Sequence, residues 1–124
     1  MSLGREIVAS VERRDWARLA ACLSGDVVFR AVIADQTKPF REHIGPDAAA
    51  AQIARWFDDG EIHELLESSV DMVADRLHVR YRVRNREVGR WYLVEQHLFA
   101  TLSGARISHL DLLCSGFREI PPPT

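Results

Sequence analysis

The stretch from Trp91 to Phe117 constrains the fold more than any other, because it predicts two long β-strands joined by a tight turn at residues 103–104. Side chains alternate between the faces of a strand, so a two-residue turn places odd positions of the first strand beside even positions of the second. One face of the hairpin is then formed by His97, Phe99, Leu110, Leu112 and Cys114. The other face is also too apolar for open water, so we expect both faces to be covered.

The residues before this hairpin predict two helices with a strand between them. Apolar residues recur at spacings of three and four from Leu3 to Leu23, which is typical of a long amphipathic helix, here with a kink near Asp15. Residues 27–33 are β-branched and apolar, as expected of a buried strand, and the polar residues 34–45 predict a loop across the mouth of a cavity. A second helix is expected over residues 46–57, with proline in its first turn.

After Gly60 the apolar period changes from 3.6 to two residues, which predicts three or four strands in a meander. Residues 77–83 alternate cleanly, so their strand has one apolar face and one basic face. Helices on one side of an antiparallel meander define an α+β fold. A length of 124 residues predicts one domain over residues 1–124.

Composition and spacing argue against several classes of function. The 16 basic and 18 acidic side chains give a net charge of -2, which provides no general attraction to nucleic acid or to an anionic membrane. The arginines of residues 80–86 form a basic stripe, but Glu67 and Asp71 are expected to pair with them across the strands. The five histidines lack HxH or HExxH spacing, so no metal site is predicted.

The expected location is the cytoplasm. The two cysteines, Cys22 and Cys114, provide neither a disulfide framework nor a zinc knuckle, and they favour a reducing compartment. An eighteen-residue apolar run is missing from the sequence, and the charged N-terminus is unlike a signal peptide. We therefore expect a protein that binds neither membrane nor nucleic acid.

Four short segments, together with the order of the predicted elements, resemble a known superfamily. They are Asp15-Trp16-Ala17, Gly25-Asp26-Val27-Val28-Phe29, Gly45-Pro46-Asp47-Ala48 and Gly104-Ala105-Arg106-Ile107. Over nearly its whole length the chain is similar to the nuclear transport factor 2-like superfamily, specifically to its SnoaL-like and ketosteroid isomerase-like members. The resemblance implies a cone-shaped fold, in which N-terminal helices pack on a strongly curved sheet and enclose an apolar pocket. It also implies a homodimer through the outer sheet face, and chemistry without a cofactor.

The chemistry of ketosteroid isomerases tests this resemblance. Those enzymes move a proton with a carboxylate base, and they hold the developing oxyanion with a tyrosine and a protonated aspartic acid. In this sequence Ile7 takes the place of the tyrosine, Ala31 that of the base, and His97 that of the aspartic acid. A histidine there can still donate a hydrogen bond or move a proton near neutral pH.

His97 and Glu95 are the predicted catalytic pair, because they lie two residues apart on one face of a strand. His97 is either an acid, base or hydrogen-bond anchor, or a structural histidine bonded to Glu95. The secondary candidates are Asp35 and His43 in the loop, and Asp111 on the last long strand. The two-residue turn directs Asp111 away from His97, and a bulge would reverse this.

The predicted pocket is lined by Trp16, Phe29, Trp56, Tyr81, Phe99, Leu110, Leu112 and Cys114. For Cys114 the alternative is an inert thiol in the core. One functional hypothesis is an isomerase, cyclase or hydrolase that transfers a proton on a small hydrophobic molecule with a carbonyl group. The other is a non-catalytic module of the same fold that binds a small ligand or dimerises.

Overall fold

The computed structural model describes residues 2–34, 37, 40 and 42–124. The described residues form three helices and seven strands. The helices are α1 (Leu3–Arg13), α2 (Trp16–Ala21) and α3 (Pro46–Phe57). The strands are β1 (Leu23–Ile33), β2 (His43–Ile44), β3 (Ile62–Val73), β4 (Arg76–Glu87), β5 (Arg90–Ser103), β6 (Arg106–Cys114) and β7 (Arg118–Ile120).

The first apolar repeat folds into two helices instead of one kinked helix. The Ser2 side chain caps the N-terminus of α1 by accepting a hydrogen bond from the Arg5 backbone N–H. Arg14 ends α1 in the left-handed conformation, with φ at 53°. Asp15 then caps α2 by accepting from the Arg18 backbone N–H. The predicted kink near Asp15 is therefore a complete break, made by one left-handed residue and a new N-cap.

The sheet is mixed, curved and not closed into a barrel, with strand order β2-β1-β6-β5-β4-β3. Strands β3 to β6 form the predicted antiparallel meander, whereas β1 joins β6 in parallel. Two short strands were not predicted: β2 lies within the predicted loop, and β7 pairs with the first residues of β5. All three helices lie on the inner face of the sheet.

The β5–β6 hairpin differs from the prediction by a single extra residue. Its turn consists of residues 104–105, and Leu102 is still opposite Ile107, an even-odd pair. Beyond that pair Thr101 is opposite His109, so Ser108 has no opposite residue and forms a β-bulge. Every later pair joins two even or two odd positions. The prediction that odd positions of the first strand share a face with even positions of the second is therefore wrong beyond the bulge.

The bulge moves two predicted pocket residues to the outside. His97 is opposite Leu113, and Phe99 is opposite Asp111, on the outer face of the sheet. Beyond the bulge, the even-numbered residues of both strands face the helices instead. They are buried: Gln96, Leu98, Ala100, Leu110, Leu112 and Cys114.

Helix α1 lies so close to the sheet that it requires a glycine. A Cβ on Gly4 would lie 2.3 Å from Cγ1 of Val70 on β3. The helices thus cover the inner face at close range and bury the apolar residues of both layers in one core. Among the described residues, no helix is long and apolar enough to cross a membrane.

Candidate functional site

The predicted pocket residues fall on two different faces. Five are buried in the core on the inner face: Phe29, Tyr81, Leu110, Leu112 and Cys114. Trp16 and Trp56 are partly buried and pack against that core. Phe99 lies on the outer face, because the Ser108 bulge precedes its pairing partner. Seven of the eight residues therefore remain at the inner face, and the eighth does not.

Four aromatic rings meet on the inner side of β1. His43 is opposite Phe29 in the β1–β2 pair, and its ring stacks on Phe40 with a centroid distance of 5.4 Å. Trp56, near the end of α3, lies 6.3 Å from both Phe29 and Phe40. Phe29 is fully buried, while the other three rings are half-buried. The group combines apolar ring faces with one imidazole, and it brings the secondary candidate His43 beside two predicted pocket residues. Asp35, the other loop candidate, lies outside the described residues.

A buried polar chain crosses the centre of the inner face. The Tyr81 hydroxyl donates to Oε1 of Gln96 over 2.5 Å, and Nε2 of Gln96 donates to Sγ of Cys114 over 3.5 Å. Burial raises the pKa of Tyr81, so its hydroxyl remains neutral. Sequence reasoning missed Gln96, which is the one amide among apolar neighbours at the inner positions of β5.

A second inner polar pair lies where β3 and β4 approach the helix ends. His63 is opposite Asn85, and Nε2 of His63 donates to the Val11 carbonyl over 2.8 Å. Within the described part of the chain, Nδ1 of His63 and both amide atoms of Asn85 are buried without a hydrogen-bond partner. Burial lowers the pKa of His63, with a smaller opposing effect from the Val11 carbonyl. The neutral ring therefore holds its proton on Nε2 and leaves Nδ1 as an acceptor.

The predicted catalytic pair belongs to a hydrogen-bonded chain on the outer face. Nδ1 of His78 lies 3.2 Å from Oδ1 of Asp71, and Nε2 of His78 lies 2.9 Å from Nδ1 of His97. Nε2 of His97 lies 2.8 Å from Oε2 of Glu95. Two imidazoles are thus joined to each other and held between two carboxylates. We name this group the histidine relay: Asp71, His78, His97 and Glu95.

Arginines hold the Glu95 end of the histidine relay. Arg82 donates to Oε1 of Glu95 from Nε and Nη2, at 3.0 and 2.9 Å, and Arg80 donates over 3.3 Å. The hydrogen bond from His97 lowers the pKa of Glu95 most, and the bond from Arg82 adds to it. Arg80 also pairs with Glu67 over 2.7 Å, as predicted for the basic stripe. Asp71 pairs instead with His78.

A concave depression of about 500 Å³ opens on the outer face beside the histidine relay. It is lined by Arg30, Asp75, Arg76, Thr101, His109 and Asp111. Oδ2 of Asp111 accepts from Arg76 over 2.7 Å, and Oδ1 accepts from Arg30 over 3.3 Å. Asp111 therefore lies outside, as the predicted turn implied, and the bulge brings His97 to that same face.

The three ketosteroid isomerase positions can now be placed. Ile7 and Ala31 lie in the inner core, as the resemblance implied for the residues that replace the tyrosine and the base. The match of His97 to the protonated aspartic acid is wrong, because His97 faces outward. The inner positions beside it are Gln96 and Leu98.

The profile of the SnoaL-like domain matches residues 5–110. The chain belongs to the SnoaL-like domain family. The predicted membership of this superfamily and the cone-shaped α+β fold are thereby confirmed. No curated protein matches the chain.

Solved structures share this SnoaL-like fold at low identity. A candidate polyketide cyclase from Xanthomonas campestris pv. campestris is 20% identical, with a TM-score of 0.70 and coverage of 90% of this chain and 86% of that chain. A hypothetical protein with a ketosteroid isomerase-like fold from Catenulispora acidiphila, in complex with trimethylamine, is 11% identical, with a TM-score of 0.71 and coverage of 91% of this chain and 85% of that chain. A candidate polyketide cyclase from Pseudomonas putida is 17% identical, with a TM-score of 0.68 and coverage of 90% of each chain. At such identities the likeness shows the fold alone.

Proposed function

We propose that this SnoaL-like protein binds a small hydrophobic molecule with a carbonyl group and transfers a proton on it, as an isomerase or a cyclase does. The observation that supports the proposal is the aromatic group on the inner side of β1, formed by Phe29, Phe40, His43 and Trp56. Small-molecule sites are mostly apolar surfaces with a few polar groups placed among them. Here the apolar part is three ring faces and the polar part is the imidazole of His43.

The chemistry follows from the residue types. Half-buried rings of Phe40 and Trp56 offer apolar area to a planar ligand, and an imidazole is able to accept and donate protons near neutral pH. Removing a proton beside a carbonyl group needs a base within hydrogen-bond distance of that proton and no cofactor. Among the solved structures with this fold, two are candidate polyketide cyclases, from Xanthomonas campestris and Pseudomonas putida. Their names support the reaction class proposed here.

The test is exchange of α-protons for deuterium in an aryl ketone, 1-acetonaphthone, followed by proton NMR in deuterated buffer. We expect the protein to accelerate exchange, and His43→Phe to slow it at least about tenfold, because a positioned base contributes more than that. His109→Phe is the matched control, since His109 is exposed on the opposite face. Equal exchange rates in the wild type and His43→Phe would contradict the proposal.

The same assay addresses the catalytic roles predicted for His97 and Glu95. We keep proton transfer at this pair as a separate proposal, with the substrate bound on the outer face of the sheet. A loss of exchange in His97→Phe with full exchange in His43→Phe would move the reaction to the outer face. Full exchange in His97→Phe would contradict proton transfer by His97 and Glu95.

One observation favours the non-catalytic alternative, a module that forms a homodimer through the outer sheet face. Val32 and Leu113 are adjacent in the β1–β6 register, and they are 64% and 48% exposed on that face. Adjacent exposed apolar side chains, unlike single scattered ones, favour a surface that a partner covers. The partner proposed here is a second copy of the chain.

Sedimentation velocity at micromolar concentration tests the homodimer. We expect a dimer for the wild type and a monomer for Leu113→Lys, whose charge would lie in the interface. Val88→Lys is the control, since Val88 is exposed in the turn between β4 and β5. A monomeric wild type would contradict the proposal.

Both cysteines are free and buried, which supports the cytoplasm as the proposed location.

A further inference from the structure

We infer that His78 and His97 form one acid–base site on the outer face, and that the two rings hold a single shared proton between them at neutral pH. The site is distinct from the aromatic group on the inner side of β1. It is the middle of the histidine relay, where the number of protons in three consecutive hydrogen bonds determines the charge of the two rings.

The two outer hydrogen bonds fix one proton each. An ionised carboxylate only accepts, so Nδ1 of His78 carries the proton that points at Asp71. For the same reason Nε2 of His97 carries the proton that points at Glu95. The lowered pKa of Glu95 agrees with this assignment, because Glu95 is then ionised at neutral pH.

The middle hydrogen bond requires a third proton. Nε2 of His78 and Nδ1 of His97 are 2.9 Å apart, a distance at which one nitrogen donates and the other accepts. Two neutral imidazoles supply only two N–H groups, and both of these already donate to the carboxylates. Two imidazolium ions supply four, and the middle nitrogens would then face each other as two donors. Only one neutral ring and one charged ring satisfy all three bonds.

The surroundings balance that charge. The charged groups around the two rings are Glu67 and Asp71 on β3, Arg76, Arg80 and Arg82 on β4, Glu95 on β5 and Asp111 on β6. Asp111 accepts from both Arg76 and Arg30, and Arg30 also lies 4.0 Å from Glu42, so these two arginines and two carboxylates neutralise each other. The remaining three carboxylates outnumber the two remaining guanidinium groups by one negative charge, which the shared proton neutralises. The cluster is therefore neutral as a whole when the relay is complete.

The Phe99 ring supports a positive charge on the neighbouring imidazole. It stacks on His78 with a centroid distance of 4.7 Å and an angle of 11° between the planes. A cation over an aromatic face is attracted by the negative face of the ring. Arg76, which lines the depression, lies over the same ring at 6.0 Å from its centroid.

The experiment counts protons at pH 7 in protein with ¹⁵N-labelled histidine, by long-range proton–nitrogen NMR spectra that distinguish bare nitrogens from protonated ones. We expect Nδ1 of His78 and Nε2 of His97 to be protonated, and the two middle nitrogens to share one proton. Asp71→Asn removes one of the two carboxylates that hold the rings. We expect the rings of that variant to hold two protons at the same pH, with none shared between them.

The internal control is His63, which should show a protonated Nε2 and a bare Nδ1 at neutral pH. His97→Gln provides a second variant that retains hydrogen-bonding groups. The Gln amide is able to donate to Nε2 of His78, so His78 should there carry one proton at pH 7, on Nδ1. Two neutral rings at pH 7 in the wild type, each with one bare nitrogen, would overturn the inference. So would an unchanged number of ring protons in Asp71→Asn.

Discussion

Neighbouring residues of β5 belong to two chemically different regions of the molecule. Gln96 faces inward, is fully buried, and bonds only to the neutral groups of Tyr81 and Cys114. His97 faces outward and bonds to a histidine and a carboxylate, with arginines close by. Charges are costly inside a low-dielectric core, whereas at the surface water and counter-charges stabilise them. One step along a strand is therefore enough to change the kind of polar group that the fold tolerates.

The histidines show the same contrast. His63 on the inner face is neutral, because burial lowers its pKa and a single backbone carbonyl fixes its tautomer. His78 and His97 on the outer face are bonded to each other and to two carboxylates. The inner histidine thus leaves one nitrogen as a hydrogen-bond acceptor, whereas each outer histidine has both nitrogens in hydrogen bonds. Residue type alone therefore does not assign acid–base roles, because they depend on the face where the residue lies.

Deletion of Ser108 tests the origin of this contrast and has the largest expected effect. Without the bulge the hairpin has a single register, and the later side chains of β6, including Leu110 and Leu112, turn to the outer face. The loss would equal the whole stability of a typical domain, at least about 5 kcal/mol. Circular dichroism and urea denaturation measure it.

Ser108→Ala is the control for that deletion. It retains the extra residue and loses two exposed contacts of Oγ of Ser108, with the Thr101 carbonyl over 3.2 Å and with Nδ1 of His109 over 3.3 Å. We expect a cost of about 1 kcal/mol or less. A deletion variant as stable as Ser108→Ala would show that the bulge does not determine the two faces.

The bulge also explains which parts of the fold the sequence predicts. Alternation from Leu77 to Val83 and the helix over Pro46–Phe57 depend on local periodicity, and both are confirmed. The face on which His97 lies depends on whether odd positions of β5 are opposite odd or even positions of β6. One extra residue in β6 is enough to change this. Nothing in the letters around Ser108 distinguishes a bulge from a regular strand, so this part of the site could not be predicted. The short strand β2 is similar, because its pairing partner Phe29 lies far away in sequence.

Truncation of an inner aromatic ring is the next largest effect. Phe57 is fully buried and contacts Trp16, His63 and Phe117. Phe57→Ala should lower the free energy of unfolding by about 3–5 kcal/mol, because it leaves a cavity. Phe99→Ala on the outer face is the matched variant and should cost clearly less. Equal losses in urea denaturation would mean that the outer face is packed as tightly as the core.

A smaller effect is expected from Tyr81→Phe, which leaves Oε1 of Gln96 buried without its donor. The cost at neutral pH should be about 1–3 kcal/mol. Burial raises the pKa of Tyr81, so the folded chain keeps a proton that the unfolded chain releases above a pKa of about 10. This stability is complete below pH 10 and declines as the pH rises further. Tyr81→Phe should lack that part of the alkaline decline, and an identical decline in both proteins would contradict the assignment.

The smallest effect concerns Glu95, on the outer face. The hydrogen bond from His97 and the bond from Arg82 lower the pKa of Glu95. A carboxylate with a lowered pKa contributes stability above its unfolded pKa, near 4.5, and this is lost as the pH falls through the folded value. Glu95→Gln should therefore be less stable than wild type at pH 7, by no more than about 1 kcal/mol because the group is partly exposed.

That difference should shrink as the pH falls below 4, where the carboxylate of the wild type takes up its proton. Glu119→Gln is the matched control, because Glu119 is 56% exposed and pairs with Arg90 only at 3.5 Å. Its stability should follow the wild type at every pH. A Glu95→Gln deficit that persists undiminished at pH 3 would mean that Glu95 stabilises the sheet through packing. The outer face would then resemble the inner face in what holds it together, and the contrast between Gln96 and His97 would be one of exposure alone.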